Sequence, residues 1–414
     1  MLKRIAKWVL GTAVAAVLFA VAANGFDEDL HPEVAAYLEA RPNAVAQANN
    51  GYLQAVGLAT EIEAAGLPPQ LQAAGDFCAM DTGGDCLQRV RGEKATALEL
   101  LRGHEELLER YRALLESPEY LEPQRGRYDA PLPNYLPLTA GQKLFHVEAA
   151  LRLQEGRALH VAYDLERSLK LSRRMLAGST SLFGKMIAAA HARRAALFAS
   201  QALPALARAD RKALGRLAEA LAPLSPAERS LVEANRSELA MFRSLMRMCE
   251  PEGIDGVLDA LGCYFYQPNA TLNRSYFTLH KVLIAGDAAP TQGFEHLRGA
   301  LKTSFPWGSI LYNPVGKVLL AARSGTGWSA YVARVQDVDA LFRVVALQAL
   351  IGERGLKAAR VPEFLAENAK RFADPYSGEA MGWDAQRGQL YFEPRGTPGL
   401  QSVGGVEKRF SVGL

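Results

Sequence analysis

The chain begins with MLKRIAKWVLGTAVAAVLFAVAANGF at residues 1–26, and this stretch decides the surroundings in which the remaining residues fold. Basic residues come first, an uninterrupted apolar run extends from Trp8 to Ala23, and the acidic cluster 27–29 follows. A helix that crosses a bilayer needs roughly 17–25 apolar residues. Residues 8 to 26 are just long enough, so the pattern predicts one N-terminal transmembrane helix that acts as a signal-anchor.

Lysine and arginine beside such a helix are retained on the cytoplasmic side of the membrane. The main body is therefore predicted to lie in the periplasm, as part of a single-pass protein of the bacterial inner membrane. Two alternatives stay open. The segment can be a cleaved signal peptide, because Ala20-Val21-Ala22 has the small-x-small form of a cleavage site. It can also be a buried helix of a soluble core.

Length and composition restrict the class of protein. The chain has 414 residues, 49% of them hydrophobic, and a formal net charge of +3. This is enough for a substantial core, and too little positive charge for a nucleic-acid-binding protein. We expect three parts: an anchor or signal peptide over residues 1–26, a helical periplasmic domain over 27–265, and a second helical part over 266–414.

The cysteines form two local pairs, Cys78 with Cys86 and Cys249 with Cys263. Each pair encloses a turn-rich loop, which can bring the two sulfur atoms into the narrow geometry of a disulfide. A zinc knuckle needs a two-residue spacing, and so does a redox Cys-x-x-Cys motif, and neither pair has it. The spacing predicts two structural disulfides in an oxidising compartment and no metal site.

The body reads as helices that proline and glycine interrupt. Apolar residues at helical spacing predict a helix from about residue 86 to 116, and a second long helix that starts at Thr139. Ser225-Pro226-Ala227-Glu228 has the pattern of a capping box and predicts another helix start. Near the end of the chain, residues 381–392 have the alternation of a β-hairpin. The fold class is therefore predicted as all-α, a multi-helix array with a small C-terminal β-hairpin and one N-terminal transmembrane helix.

No catalytic motif emerges from the sequence. His146 and His160 lie too far apart on one straight helix, about 21 Å, to share a metal ion. The acidic pairs Glu105/Glu106 and Asp337/Asp339 fall within predicted helices, and we expect them on solvent-exposed faces. The sequence therefore predicts no catalytic residue and no cofactor, and it leaves the residues of any binding site unknown.

Two resemblances to known families exist. Residues 338–342, 361–365 and 374–378 lie in an order that resembles the C-terminal part of the major pseudopilins of type II secretion, over about 60 residues. Asn49-Asn50-Gly51-Tyr52-Leu53, residues 313–320 and the local cysteine pairs resemble an uncharacterised family of membrane-anchored proteobacterial envelope proteins. The second resemblance implies a helical fold and an envelope location.

These features together predict a protein that is anchored in the inner membrane through residues 8–26 and acts by binding. We expect a scaffold or accessory role with other envelope proteins, or with another envelope component, as partners. Two alternatives are an envelope hydrolase or transferase with a site assembled from separate helices, and a carrier of a lipid or small ligand.

Overall fold

The computed structural model describes residues 2–39, 49–64, 77–78, 80, 83–124, 126, 129, 131–245, 249, 256–288, 311–324, 327–397, 400 and 409–414. Helices dominate these residues, and a three-stranded antiparallel sheet lies near the end of the chain. The predicted all-α class with a small C-terminal hairpin is confirmed. The chain divides into two compact units that are each discontinuous in sequence, and the boundary predicted between residues 265 and 266 falls inside the first unit.

The first unit comprises residues 1–42, 124–130 and 232–329. Its helices are α1 (Leu2–Ala23), α2 (Pro32–Leu38), then, numbered by their order in the whole chain, α12 (Val232–Ser244), α13 (Val257–Tyr264), α14 (Pro268–Ser275), a π-helical turn (Tyr276–His280), α15 (Lys281–Ala288) and α16 (Pro314–Ser324). The disulfide between Cys249 and Cys263 joins two segments of this unit, with the Cα atoms 5.4 Å apart.

The predicted transmembrane helix differs from the helix that forms. The structure places α1 where the apolar run lies, but the helix ends at Ala23, and Asn24, which is 3% exposed, turns its side chain back onto protein carbonyl groups. Among the described residues, none of the helices has both the length and the apolar character that crossing a membrane requires.

A small apolar core holds the first unit together. Side chains from α2, α12, α14 and the π-helical turn form it: Val34, Tyr37, Leu38, Leu239, Leu272 and Tyr276. The Tyr37 hydroxyl donates to the Val232 carbonyl oxygen at 2.6 Å, and the Arg236 guanidinium lies 4.6 Å from the centre of the Tyr37 ring. The buried tyrosine therefore keeps both a hydrogen bond and a cation–π contact.

The second unit comprises residues 43–123, 131–231 and 330–414. Its elements are α3 (Gly51–Ala64), α4 (Cys86–Gly92), α5 (Lys94–Arg102), α6 (Glu105–Leu115), α7 (Leu136–Gln154), α8 (Ala158–Gly178), α9 (Leu182–Ala209), α10 (Arg211–Ala220), α11 (Pro226–Arg229), most of α17 (Gly327–Arg354), a 3₁₀ turn (Ala358–Arg360), α18 (Val361–Phe372), β1 (Gly382–Asp384), β2 (Gln389–Phe392) and β3 (Phe410–Gly413). The disulfide between Cys78 and Cys86 lies in this unit, with the Cα atoms 4.8 Å apart.

Two helices that the sequence predicts as continuous are broken in the structure. The segment 86–116 forms α4, α5 and α6, because Glu93 has non-helical torsions (φ −123°, ψ 43°) and Gly103 follows α5. The second helix begins at Leu136, one turn before Thr139, and breaks at Gly156, whose φ of +78° lies in the left-handed region that favours glycine. Glycine has a poor helix propensity, so the helix ends here although the apolar periodicity continues beyond it.

The capping box and the hairpin form as predicted. The Ser225 hydroxyl accepts the Glu228 N–H, and the Glu228 carboxylate accepts the Ser225 N–H at 2.6 Å, at the start of α11. Strands β1 and β2 pair antiparallel, with Trp383 opposite Leu390. Strand β3 pairs with β2 from a segment that the sequence did not predict as a strand.

Candidate functional site

A network of buried amide groups fixes the end of α1. The Asn24 side-chain nitrogen donates to the Ala20 carbonyl oxygen at 2.7 Å and to the Leu311 carbonyl oxygen at 2.6 Å. Its side-chain oxygen accepts the backbone N–H of Asn313 at 2.7 Å, and the Gln267 side chain donates to the Asn24 carbonyl oxygen at 2.7 Å. The chain that leaves α1 is thus bonded to segments 243 and 289 residues further along the sequence.

Asn313 starts helix α16 and fixes the residues that follow it. Its side-chain oxygen accepts the Gly316 N–H at 3.1 Å, which makes it the N-cap, and its φ of +52° lies in the left-handed region that asparagine tolerates. A Cβ at position 316 would collide with the Thr271 hydroxyl and the Asn313 side chain. The sequence 313–317 therefore places Lys317 on the first turn of α16.

The segment after α1 is bonded to α14. The Asp27 carboxylate accepts the N–H groups of Asn269 and Ala270 at 2.8 and 3.1 Å, which caps the start of that helix. One turn later, the Asn273 side-chain oxygen accepts the His31 N–H at 2.9 Å. These bonds hold residues 27–31 beside the side chains that α14 presents.

A cavity of about 600 Å³ lies in the first unit, next to this network. Its walls come from α1, the segment 28–31, α14, the π-helical turn and the start of α16. The lining residues are Phe19, Glu28, His31, Ala270, Asn273, Arg274, Phe277, Leu311, Tyr312, Asn313 and Lys317. Both the volume and the mixture of apolar and convergent polar groups are typical of a small-molecule site.

Lys317 is the most buried cation of the cavity, at 6% exposed. Its ammonium group donates to the Tyr312 carbonyl oxygen and lies 5.8 Å from the centre of the Tyr312 ring. Burial lowers the pKa of Lys317, the positive charge of Arg274 lowers it further, and the carboxylate of Glu28 acts in the opposite direction. The side chains of Arg274 and Lys317 are thus close enough for their positive charges to repel each other.

Aromatic side chains form the other walls of the cavity. The rings of Phe277 and His31 meet edge to face with centroids 4.9 Å apart, and Phe277 is 37% exposed. The Lys281 ammonium lies 4.7 Å from the centre of the Phe277 ring. Phe19 of α1 is 63% exposed and also lines the cavity.

The chemistry of the lining favours binding of an anion. Guanidinium groups bind phosphates and carboxylates through paired hydrogen bonds, and an ammonium group acts as a point charge. Of the lining residues that the structure describes, two carry a positive charge, Arg274 and Lys317, and one, Glu28, carries a carboxylate. Among the lining residues that the structure describes there is no serine, threonine or cysteine.

A buried row of side chains in the second unit resembles a catalytic triad but has the wrong hydrogen-bond directions. The Ser172 hydroxyl donates to the Ser168 carbonyl oxygen at 2.8 Å, so its oxygen accepts from His191 Nδ1 at 2.9 Å. His191 Nε2 then accepts the Tyr111 hydroxyl at 2.8 Å. Burial and the charge of Arg194 lower the pKa of His191, which keeps the ring neutral. These buried side chains hold α6, α8 and α9 together.

The prediction that Asp337 and Asp339 face solvent is wrong, because both are 0% exposed. The Asp337 carboxylate accepts the Tyr376 hydroxyl at 2.6 Å and the N–H groups of Arg395 and Gly396 at 2.9 Å each. The helix α17 is covered on this face by later parts of the chain. Such partners compensate for the loss of water around a buried carboxylate.

Asp339 is compensated in a different way. Its carboxylate accepts the Leu224 N–H at 2.7 Å, and it pairs with Arg343 at 2.7 Å and with Arg229 at 3.5 Å. Both aspartates thus join segments of the second unit. The other acidic pair, Glu105/Glu106, is exposed as predicted.

The remaining sequence-predicted residues fall in separate places. Cys78, Cys86, Cys249 and Cys263 form the two predicted disulfides. His146 is buried on α7 and stacks on Phe198, whereas His160 is exposed on α8. In the parts of the chain that the structure describes, no group of three or more His, Cys, Asp or Glu side chains has the arrangement of a metal site.

Sequence reasoning did not find the cavity. Its residues lie between positions 19 and 317, and no local motif contains them. One signal was present: Asn313-Pro314 combines a good N-cap with a proline at the first helical position, and this places Lys317 at a helix start.

The comparisons with known proteins leave the two family resemblances as predictions. Protein-family models, curated proteins and solved structures contain no match to this chain.

Proposed function

We propose that this chain is an envelope protein that α1 attaches to the bacterial inner membrane, with its body in the periplasm, and that it acts by binding an envelope component in the cavity of the first unit. The carrying observation is the position of Phe19, an exposed side chain of the apolar helix that also lines a cavity with two cations. An apolar surface and a polar binding site are thus joined in one unit.

The surface of α1 supports attachment to lipid. Its large apolar side chains are exposed, at values from 41% for Val21 to 78% for Trp8: Trp8, Leu10, Val14, Val17, Leu18, Phe19 and Val21. At about 100° per residue, they spread over roughly 200° of the helix circumference. An exposed apolar surface of this kind marks an interaction site, and burial of each Å² contributes about 25 cal/mol.

The disulfides support the periplasmic side of the proposal. Disulfides persist in oxidising compartments, which include the bacterial periplasm. Each unit contains one disulfide, and the described cysteines include no free thiol.

Cell fractionation tests the attachment. We expect the full chain in the membrane fraction and resistant to alkaline carbonate, with both cysteine pairs protected from maleimide unless a reductant is added. The double variant Val14→Asp with Leu18→Asp should move to the carbonate-soluble fraction, because it places two charges on the apolar surface.

The matched control is Leu159→Asp with Tyr163→Asp. These residues have the same spacing on α8, are 54% and 57% exposed, and lie in the second unit. This variant should stay in the membrane fraction. Recovery of the full chain in the cytosol with four reactive thiols would refute the proposal.

A further inference from the structure

We propose that the cavity binds a phosphate ester that carries an apolar group, with Arg274 and Lys317 bound to the phosphate and Phe19 and Phe277 in contact with the apolar part. This inference deepens the proposed function and rests on it for the source of the ligand. The shared chemistry fits a phospholipid headgroup and a soluble phosphate ester, which the experiment below separates.

The positions of the cations define the anionic part of the ligand. Arg274 comes from the last turn of α14 and Lys317 from the first turn of α16, so two separate elements present a positive charge to one cavity. Burial of Lys317 strengthens its electrostatic attraction for an anion, because the effective dielectric constant is lower than in water. The carboxylate of Glu28 lies on an exposed segment.

The network of amides joins the segments that carry these two cations. Asn313 caps α16, and its side-chain nitrogen donates to the Gln267 carbonyl oxygen at 3.1 Å and to the Thr271 hydroxyl at 2.9 Å. Thr271 lies one turn before Arg274 on α14. The segments that present the two cations are thus bonded to each other, and a pre-organised site loses less entropy on binding than a mobile one.

The apolar wall defines the rest of the ligand. Phe277 and Leu311 are 37% and 40% exposed, and Phe19 adds the apolar surface of α1. A volume of about 600 Å³ is within the range of sites for molecules much larger than inorganic phosphate. Phe19 lies within the last two turns of α1, on the exposed apolar surface that is proposed to attach to lipid.

Binding to purified full-length protein in a neutral detergent tests the proposal. The probes are dihexanoyl phosphatidylglycerol, glycerol phosphate, inorganic phosphate and a neutral diacylglycerol of the same chain length, each titrated by calorimetry. We expect phosphatidylglycerol to bind, with an affinity that falls as salt is raised, and the neutral diacylglycerol to bind at least about tenfold more weakly.

The variants assign the site. Arg274→Gln should weaken binding of phosphatidylglycerol about tenfold, Arg274→Lys should restore part of that loss, and Arg274→Gln with Lys317→Gln should abolish binding. The control with the same change of charge is Arg91→Gln with Lys212→Gln, at exposed positions of the second unit. Thermal unfolding of each variant separates loss of binding from loss of the fold, and the single Arg274 variants decide the matter if the double variant does not fold.

The outcomes distinguish the sources of the ligand. Binding of glycerol phosphate as tight as that of phosphatidylglycerol supports the site and assigns it to a soluble ester. Tighter binding of phosphatidylglycerol supports a lipid headgroup. Absence of binding by both, or equal binding by the parent and the folded Arg274→Gln variant, would overturn the inference. Because this assay uses detergent, a failure of membrane attachment in cells leaves its result unchanged and is recognised separately.

Discussion

His280 stacks on Tyr276, with ring centroids 4.4 Å apart and an angle of 23° between the ring planes. The centroid of the Tyr37 ring lies 4.1 Å from that of the His280 ring, and the His280 side chain is only 5% exposed. Burial lowers the pKa of His280 to about 4, and the charges of Arg236 and Lys281 act in the same direction. The first unit therefore holds a histidine in its neutral form.

This histidine makes stability depend on pH. Its pKa in the unfolded chain is about 6.5, so between pH 6.5 and 4 the unfolded chain binds a proton that the folded chain does not. The contribution of neutral His280 to the unfolding free energy is complete above pH 6.5 and is lost as the pH falls. We expect His280→Gln to reduce the acid-induced loss of unfolding free energy by about 2 kcal/mol between pH 7 and pH 5.

Urea unfolding followed by circular dichroism at the two pH values measures this difference. His160→Gln, at an exposed position on α8, is the control and should follow the parent. A pH response of the His280 variant equal to that of the parent would show that His280 does not titrate in this range.

Replacement of Asn24 should loosen the end of α1. Asn24→Ala leaves the Asn313 N–H without the oxygen that it now reaches at 2.7 Å and removes a donor to the Leu311 carbonyl oxygen. An unsatisfied buried polar group costs about 1–3 kcal/mol. Hydrogen exchange should show faster exchange in residues 311–317, while Asn368→Ala, whose side chain bonds only within α18 at 2.8 Å, should leave that segment unchanged.

Two glycines of the first unit should respond in opposite directions to the same substitution. Gly316→Ala introduces a Cβ against Thr271 and Asn313, and we expect a loss of about 1–3 kcal/mol of unfolding free energy. Gly262→Ala in α13 meets nothing within 4 Å and should gain about 0.5–1 kcal/mol from helix propensity. Thermal unfolding of the two variants checks both signs, and equal shifts would contradict the contact at Gly316.

The two disulfides should make similar contributions to stability. They close loops with sequence separations of 8 and 14 residues, and the loop-closure entropy corresponds to about 2–3 kcal/mol for each. Cys78→Ser with Cys86→Ser, and Cys249→Ser with Cys263→Ser, are the two variants. Each should lower the midpoint of thermal unfolding under oxidising conditions. In each variant, dithiothreitol should lower the midpoint less than in the parent, because one bridge is already absent. An unchanged midpoint would indicate that the loops are ordered without their bridges.

Local features of this fold could be predicted from the sequence. The cysteine pairs, the capping box at Ser225 and the hairpin between β1 and β2 each depend on residues that are close in the chain. The helix breaks at Glu93 and Gly156 were missed because the apolar stripe continues through them. A glycine inside a periodic pattern is tolerated often enough that it does not by itself end a predicted helix.

The cavity and the buried carboxylates depend on contacts between distant residues. Asn24 and Asn313 are 289 residues apart, and Asp337 meets Gly396 from 59 residues away. A single sequence contains no pattern that pairs such positions. As an acidic residue in a predicted helix, Asp337 is expected on a solvent-exposed face. The N–H groups that compensate for its burial come from residues 395 and 396.

The bonds that Asn24 and Asp27 make have a mechanical consequence. The residues directly after α1 are bonded to α14 and to the start of α16, and they do not form a loose linker. The ends of α1, α14 and α16 are therefore coupled. If α1 attaches the protein to lipid as proposed, a tilt of α1 changes the orientation of the cavity with respect to the lipid surface.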